Sequence, residues 1–258
     1  MRIDIHVHTS RYSECGRSTP EEMVERAIAE GLEALVFTEH NLFWPAQELA
    51  ALQRRYPQIL LLRGAEFTSA EGEDFLVYGA ISEELIAIRR DAEALTRRVQ
   101  ALGGAVIIAH PYRYHSDVPA WLDATPVDAV EVMSNNIFAH TADKACALAE
   151  RLARPVVATS DGHHVDALGL YALELHHPIH SEVELAHTLR AGAFALYINE
   201  RRVAAQNDAL AAQCDTIRHL LSLDYDNEQI RAAMPEFVSH TLINGVRAGI
   251  EMQRAALR

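Results

Sequence analysis

The sequence predicts an α/β protein built on a mostly parallel sheet, with added helices at its C-terminal end. Over the first 200 residues, short aliphatic and β-branched runs alternate with longer segments of helical periodicity, which is the pattern of βα units. After about residue 200 the chain becomes alanine-rich and the short apolar runs stop. We therefore expect a domain over 1–200 and a helical extension over 201–258.

Seven short apolar runs have the length and composition of buried strands. Because helical segments separate most of these runs, neighbouring strands are expected to lie parallel to one another. The predicted strands cover residues 3–8, 34–38, 59–66, 75–78, 105–109, 129–133 and 156–160.

Capping residues mark the helix boundaries. The segment STPEE at 18–22 supplies a hydroxyl cap, a proline and two acidic residues, which begin a helix over 21–30 that ends before Gly31. Further helices are predicted over 91–101, 141–152, 181–191, 201–221 and 227–234, and from 235 onward.

Composition excludes several classes of protein. The 258 residues are 49% apolar and 23% charged, which is ordinary for a globular protein, and no apolar run is long enough to span a bilayer. The start, MRIDIHVH, lacks the apolar core of a signal peptide. The formal net charge of -13 disfavours a basic surface for long nucleic acids. Three scattered cysteines support neither a disulfide framework nor a zinc ribbon. We expect a cytoplasmic protein with no membrane partner.

Ligand-type side chains lie at the C-terminal ends of six predicted strands. Because the carboxyl ends of parallel barrel strands meet at one face, these side chains are expected to converge. Two of them, His6 and His8, are two apart on a strand and therefore point to the same side. The full set is His6, His8, His40, Glu66, His110, Glu131, Asp161 and His163.

Imidazoles and carboxylates are the ligands of zinc, manganese and iron. A single His-x-His pair is a weak signal, because one strand histidine is more often a packed or surface residue. Histidine or acidic residues at six strand ends are much harder to explain by coincidence. The pattern therefore predicts a metal centre.

The same segments resemble the PHP family, the polymerase and histidinol phosphatase superfamily. The matching segments are HVHTSRYSECG, STPEEMVERAIAEGLEALVFTEHN, GAEF, AHPYR and SDGHH, which occur in this order over about residues 1–165. The resemblance implies a distorted seven-stranded (β/α)7 barrel that holds two or three divalent ions of Mn, Fe or Zn. It also implies that the protein cleaves phosphoesters.

The resemblance further implies how two of the ions are held. The first ion would be bound by His6, His8, Glu66 and Asp161. The second ion would share Glu66 with the first and add His110. Some relatives add a histidine to the second site, and the sixth strand of this chain offers none.

A third ion would be held by His40, His163 and the acid that follows the histidine pair. The family usually has aspartate there, whereas this chain has Glu14, so the third site is expected to be shifted, weaker or differently selective. Glu131 has two open interpretations, as a metal ligand or as an acid that orients a ligand histidine. Cys15 is expected to be a small packed residue near a turn, with the role of a soft ligand as the alternative.

Clustered cations would activate a bridging hydroxide that attacks phosphorus. The leaving oxygen needs a proton, for which His163 and His164 are the nearest candidates. Arg113 follows His110 by three residues and either binds a phosphate bidentately or is an exposed loop arginine. The expected substrate is a small phosphorylated molecule, a nucleotide or a short oligonucleotide.

Two other functions stay open. The same metal pocket could hydrolyse another ester or an amide, because fold does not fix the electrophile. Alternatively, the chain could be a metal-binding scaffold without catalysis, although degenerate sites usually lose ligands first. The C-terminal helices are expected either to pack on the barrel or to form a homodimer.

Overall fold

Nine strands form one sheet in the part of the chain that the structure describes. The computed structural model describes residues 1–137, 139–235, 238 and 240–256. The strands are β1 Arg2–Val7, β2 Ala34–Phe37, β3 Leu60–Thr68, β4 Asp74–Tyr78, β5 Ala105–Ile108, β6 Ala129–Met133, β7 Val156–Ala158, β8 Tyr171–Leu175 and β9 Phe194–Ile198.

The first seven strands curl into a nearly closed barrel. The sheet order is β7-β6-β5-β4-β3-β2-β1-β8-β9. Beyond the end of β7, Gly162 pairs in parallel with Val7 of β1. The His8 amide donates to the Gly162 carbonyl at 2.9 Å, and the Gly162 amide donates to the His6 carbonyl at 3.1 Å. This short contact, which we call the seam, joins the first strand of the barrel to the segment that follows the seventh.

The predicted distorted seven-stranded α/β barrel is confirmed, with two corrections. First, β4 is antiparallel to both β3 and β5, whereas the other neighbouring pairs of the barrel are parallel. Second, β8 and β9 lie outside the predicted strands. β8 pairs antiparallel with the start of β1, and β9 pairs antiparallel with β8. The residues of β9 are only partly buried, so its apolar pattern is weak in the sequence.

Nine helices surround or follow the sheet within the described ranges. The Thr19 hydroxyl and the Glu22 side chain form a capping box at the start of the first helix, as the STPEE segment predicts. The second and third helices lie outside the predicted ones. The helices are α1 Pro20–Ala29, α2 Ala46–Arg55, α3 Glu83–Ile88, α4 Ala92–Ala101, α5 Ala139–Leu152, α6 Glu182–Ala191, α7 Glu200–Ser222, α8 Asn227–Ala233 and α9 His240–Ala256.

A β-bulge in β1 separates the apolar barrel interior from the mouth. Ile3 and Ile5 belong to the interior core with residues from β2 to β8. The register of β1 against β2 shifts between Asp4 and Val7, and a bulge inserts one extra residue into the strand. Ile5 and His6 therefore both face the interior, although they are neighbours in sequence. Across the barrel, the Tyr78 hydroxyl donates to the Ile5 carbonyl at 2.8 Å.

The chain consists of two compact units, Met1–Asn199 and Glu200–Arg258. In the second unit, helices α7 to α9 enclose a small apolar core that includes Ile217, Ile230 and Ile243. The predicted start of the last helix, near Pro235, adjoins residues 236, 237 and 239, which lie outside the described residues. No helix of the described chain combines the length and apolar character needed to cross a membrane. The independence of the two units as domains stays a prediction.

Candidate metal centre

Five ionisable side chains meet at the mouth of the barrel, and each is at most 2% exposed. His6 lies in β1 and His8 directly follows it, Glu66 lies in β3, and His110 and Asp161 follow β5 and β7. The Nε2 atom of His6 lies 3.5 Å from Glu66 Oε1 and 3.4 Å from Asp161 Oδ1. The Nε2 atom of His8 lies 3.2 Å from Glu66 Oε2 and 3.5 Å from Asp161 Oδ1. His110 Nε2 lies 3.0 Å from Glu66 Oε1.

Two of these residues adopt a backbone conformation that side chains other than glycine rarely take. The φ angle is 28° at His110 and 46° at Asp161. Such conformations cost about 1–3 kcal/mol each and persist where the surroundings impose them. Both residues directly follow buried strand ends, and the turn brings their side chains to the same cluster as Glu66.

Four buried side-chain atoms at this cluster, two nitrogens and two oxygens, form no hydrogen bond with any residue that the structure describes. They are His6 Nε2, His8 Nε2, Glu66 Oε2 and Asp161 Oδ1. Buried polar groups are normally paired, and leaving one unsatisfied costs about 1–3 kcal/mol. Imidazole nitrogens and carboxylate oxygens that face one another without hydrogen bonds are the donor set of a divalent cation. The residues present therefore fit bound metal ions.

The possible ligand atoms fall into four overlapping sets of three residues, within each of which they lie within 4.8 Å of one another. The overlap means that several side chains can be shared between neighbouring ions, as in multi-metal sites. The sets are His6, His8 and Glu66; His6, His110 and Asp161; His8, His40 and His163; and Glu66, Asp74 and His110.

Mutual charge compensation dominates the electrostatics of the cluster. Burial alone would raise the pKa of Glu66, but the charge of His6 and the nearby His110 and His40 side chains outweigh it and hold the pKa well below its usual range. Burial would lower the pKa of His6, but the charges of Asp161, Glu131 and Glu66 raise it well above its usual range. Cations would take over the positive charge that the protonated imidazoles otherwise supply.

Glu131 lies beside the cluster but outside the four ligand sets. Its Oε1 lies 3.0 Å from His6 Nδ1 and also accepts from the Thr159 hydroxyl, and its Oε2 accepts from the His110 amide at 2.7 Å. Both carboxylate oxygens are therefore engaged. This geometry supports the interpretation in which Glu131 fixes the ring of His6 and leaves Nε2 facing the cluster.

A second buried acid, Glu39, was not among the predicted site residues. It accepts hydrogen bonds from the Thr9 amide and hydroxyl, from the Ser13 hydroxyl at 2.5 Å, and from Trp44 Nε1 at 3.0 Å. The Ser13 hydroxyl in turn lies 3.4 Å from His8 Nδ1. Glu39 therefore holds the loop that follows β1 against the site. The signal in the sequence is an acid next to His40 at the end of a fully apolar strand.

The loop after β1 presents Cys15, rather than Glu14, to the site histidines. Glu14 is exposed and belongs to none of the four ligand sets. Burial raises the pKa of the Cys15 thiol, but the neighbouring His163 and His40 side chains outweigh it and lower the pKa to about 6. Like Glu14, Cys15 belongs to none of the four ligand sets. Cys15 is exposed, so the expectation of a packed residue was wrong.

Gly16 fixes the path of this loop. A Cβ atom at this position would lie 2.3 Å from the carbonyl carbon of Thr9, so only glycine permits the close approach. The amide of Gly16 also donates to the Ser13 carbonyl at 3.0 Å.

Of the predicted catalytic residues, two lie at the cluster and one lies apart. His163 Nδ1 is 2.9 Å from the Asp161 carbonyl oxygen. Arg113 Nη1 is 3.8 Å from Asp161 Oδ2. By contrast, His164 has a half-exposed side chain whose Nδ1 lies 3.0 Å from Asp166 Oδ2.

Asp74 enters one ligand set without having been predicted. Its Oδ1 accepts from the Thr68 hydroxyl at 2.6 Å, and its carbonyl accepts from the Ala109 amide at 3.0 Å. Because β4 is antiparallel to its neighbours, the first residue of β4 lies at the same face as the last residues of the parallel strands. A search for ligands at C-terminal strand ends therefore passes over it.

Comparison with known proteins gives two family matches. The PHP domain matches residues 4–142, and the PHP-associated domain matches residues 140–194. No curated protein matches the chain.

Two solved structures have a similar fold. PsfC from Pseudomonas syringae PB-5123 has a TM-score of 0.58 at 20% identity, covering 81% of this chain and 96% of PsfC. A proposed metal-dependent phosphoesterase from Bifidobacterium adolescentis ATCC 15703 has a TM-score of 0.52 at 19% identity, covering 63% of this chain and 87% of that one. At these identities the likeness concerns the fold alone. Since the PHP domain model matches more than half of the 258 residues, the chain belongs to the PHP family.

Proposed function

We propose that this protein hydrolyses phosphoesters with two or three divalent ions at the mouth of its barrel. The observation that carries the proposal is that four buried nitrogen and oxygen atoms, on His6, His8, Glu66 and Asp161, make no hydrogen bond with any described residue. Membership of the PHP family supports a metal-dependent hydrolase. The phosphoester as substrate, and the identity and number of the ions, are part of the proposal.

The residues would divide among the ions as the family resemblance implies. His6, His8, Glu66 and Asp161 would hold one ion, and Glu66 would be shared with a second ion that His110 also binds. When bound, such ions act as Lewis acids on phosphoryl oxygens and lower the pKa of water. Glu131 would keep the Nδ1 atom of His6 occupied, as the 3.0 Å contact with Oε1 supports.

The third ion would lie next to His40 and His163. The Nδ1–H group of His163 can donate to the Asp161 carbonyl, 2.9 Å away, which leaves Nε2 for an ion or a proton. His163 lies at the cluster, whereas the ring of His164 contacts Asp166. We therefore place His163 ahead of His164 as the group that delivers a proton to the leaving oxygen.

Arg113 would bind the phosphoryl group at the mouth. Its guanidinium lies near Asp161 and over the ring of Tyr114, 4.9 Å from the ring centroid. A planar guanidinium can donate two hydrogen bonds to one phosphate. Tyr114 is 59% exposed and offers a stacking surface, which supports a nucleotide among the expected substrates. A cytoplasmic location and a homodimer through the C-terminal helices stay predictions.

The test combines metal analysis with a substrate screen. The purified chain is assayed for release of phosphate or alcohol from phosphomonoesters, phosphodiesters, nucleotides and short oligonucleotides with added Mn²⁺ or Zn²⁺. We expect more than one bound ion per chain and metal-dependent cleavage of at least one class. Asp161→Asn is the control variant, since it removes one ligand charge at nearly constant shape.

Three results would contradict the proposal. Purified protein without bound ions, and unable to bind added ones, would remove the metal chemistry. Cleavage of carboxyl esters or amides but of no phosphoester would favour another hydrolase. Bound ions without any hydrolysis would favour a metal-binding scaffold.

A further inference from the structure

A cleft of about 500 Å³ opens at the end of the barrel opposite the metal centre. Its lining residues come from the segments that precede β6 and β7 and from the C-terminal halves of α4 and α6. The metal centre lies at the other ends of these parallel strands. The volume is within the range of sites for small molecules. The lining residues, all in the first compact unit, are Gln100, Asp128, Arg154, His187, Arg190 and Ala191.

Cationic side chains outnumber acidic ones in this cleft, although the whole chain has a formal net charge of -13. The lining holds two arginines and one aspartate. The fold itself engages the aspartate, because Asp128 Oδ2 accepts from the Val106 amide at 2.9 Å and from Gln100 Nε2 at 3.2 Å. Arg190 Nε lies 3.9 Å from Asp128 Oδ1, beyond hydrogen-bond distance. The guanidinium of Arg190 therefore keeps its hydrogen-bond donors available for a ligand.

The side chain of Arg154 points to a ligand. Its Nε atom is buried and makes no hydrogen bond with any described residue. Arg2, Arg26 and Arg89 also have a buried Nε without a hydrogen bond, but each uses another guanidinium nitrogen in an ion pair or a hydrogen bond to a carbonyl. The guanidinium of Arg154 has no such contact in the described part of the chain. A charged group in the cleft is thus left without a counter-charge.

A structural role at the end of a helix does not account for this side chain. Arginines near a helix C-terminus often donate to the last carbonyls of the helix, and Arg154 comes two residues after the end of α5. Its backbone amide donates to the Ala149 carbonyl at 3.0 Å, whereas its Nε donates to no described carbonyl. Because a buried donor without a partner is destabilising, an acceptor bound in the cleft would remove this cost.

We propose that this cleft binds the oxyanion group of a small molecule, a phosphate or a carboxylate, between Arg154 and Arg190. The Nε–H and one Nη–H of a guanidinium lie side by side and can donate to two oxygens of one such group. His187 comes three residues before Arg190 on α6, so the two side chains are neighbours on the helix surface, and its ring offers a further donor. The cleft is larger than one oxyanion group, so the ligand is expected to be a larger molecule that carries the group. The inference is separate from the proposed function, because no lining residue belongs to the four ligand sets.

The test follows the Nε–H signal of Arg154 by nuclear magnetic resonance. The full-length chain, prepared with Zn²⁺ and freed of excess ions, is titrated with inorganic phosphate and separately with succinate, each against sodium chloride of equal ionic strength. The signal is assigned by its absence from Arg154→Gln. We expect a saturable shift with at least one of the two anions. A shift with phosphate alone identifies a phosphate group, a shift with succinate alone identifies a carboxylate group, and a shift with both identifies a site for either.

Matched variants locate the site. Arg154→Gln and Arg190→Gln should each weaken binding of the anion by about 10-fold or more, because each removes a charged hydrogen-bond donor. The affinity in each variant is measured from the Nε–H signal of the arginine that remains in the cleft. Arg151→Gln is the control, since this residue of α5 is paired with Asp123 and lies outside the cleft, and it should leave the affinity unchanged.

Two results would overturn the inference. The first is an Arg154 signal that neither anion moves beyond the effect of sodium chloride. The second is an affinity that Arg190→Gln and Arg151→Gln lower equally, which would indicate a general effect of surface charge. Arg190 is 41% exposed, so Arg190→Gln is expected to fold and suffices for this comparison even if Arg154→Gln does not fold. Neither result concerns hydrolysis at the metal centre, so the proposed function would stand.

Discussion

The barrel interior has an apolar half and an ionisable half, and adjacent residues of β1 divide between them. Ile3 and Ile5 lie in the apolar half, with fully buried neighbours from the surrounding strands. His6 and His8 lie in the ionisable half, against Glu66 and its neighbours. Both halves are closed to solvent here, since all four of these side chains are 0% exposed.

The apolar half mainly stabilises the fold, whereas the ionisable half mainly serves metal binding. Burial of apolar side chains stabilises a fold by about 25 cal/mol per Å², whereas buried polar atoms without partners oppose folding. The apolar half should therefore supply stability with or without metal. The ionisable half should contribute more when cations bind, because four of its buried nitrogen and oxygen atoms otherwise have no hydrogen bond.

The largest expected effect comes from His8→Ala, in the ionisable half. Hydrolysis should fall by about 10³-fold or more, because an ion that activates water and phosphate loses a ligand. The metal-free variant should still fold, because the apolar half of the barrel keeps its core, although removal of a fully buried ring lowers its stability. Activity assays and urea denaturation with chelator measure the two quantities. A fully active variant would remove His8 from the site.

Ile107→Ala tests the apolar half. Ile107 lies in β5 and is 0% exposed, so the cavity should lower the free energy of unfolding by about 2–5 kcal/mol. Metal content per folded chain should not change. Urea denaturation, with metal analysis of the folded fraction, checks both points, and loss of ions without loss of stability would contradict the division into halves.

Glu131→Gln tests the boundary between the halves. The amide can keep one contact with His6 or with the His110 amide but not the charge, and loss of such an orienting acid typically weakens metal binding about 10- to 100-fold. The affinity should be measured by titration of the demetallated chain. Loss of an ion at saturating metal would instead identify Glu131 as a ligand.

The smallest effect is expected for Glu14→Ala. The side chain is exposed and outside the four ligand sets, so metal content and activity should match those of the unaltered chain. Loss of the third ion in Glu14→Ala alone would restore the ligand role that the sequence predicts for Glu14.

The parallel strands of the barrel were predictable because they are buried runs of apolar residues with clear ends. Strands and helices were missed where the apolar pattern is interrupted by polar residues or where no capping residue marks a helix start. β9 is only partly buried, and the second helix follows Pro45 without a side-chain cap. The antiparallel direction of β4 was missed although the sequence carries it, because the eight residues between the predicted strands at 59–66 and 75–78 are too few for a parallel crossover.

For the candidate site, the sequence predicted the residues that follow regular strand ends. The ligand sets contain His6, His8, Glu66, His110 and Asp161, although their role as ligands stays a prediction. Asp74 was missed because its strand is reversed, and Glu14 was predicted at a point where a tight loop instead places Cys15 near His163 and His40. Both depend on backbone paths fixed by residues six or seven positions earlier in the chain, Thr68 in one case and Thr9 in the other.

The seam between Val7 and Gly162 should respond to metal binding, and the exchange rate of its backbone amides should show whether the site is occupied. Only two backbone hydrogen bonds of the described residues, from the His8 and Gly162 amides, join β1 to the segment after β7 at this point. Bound cations would tie His6 and His8 to Asp161 across the same gap, and local opening would then cost more. Amide hydrogen exchange at His8 and Gly162 should slow when metal is added, while exchange within β5 stays the same.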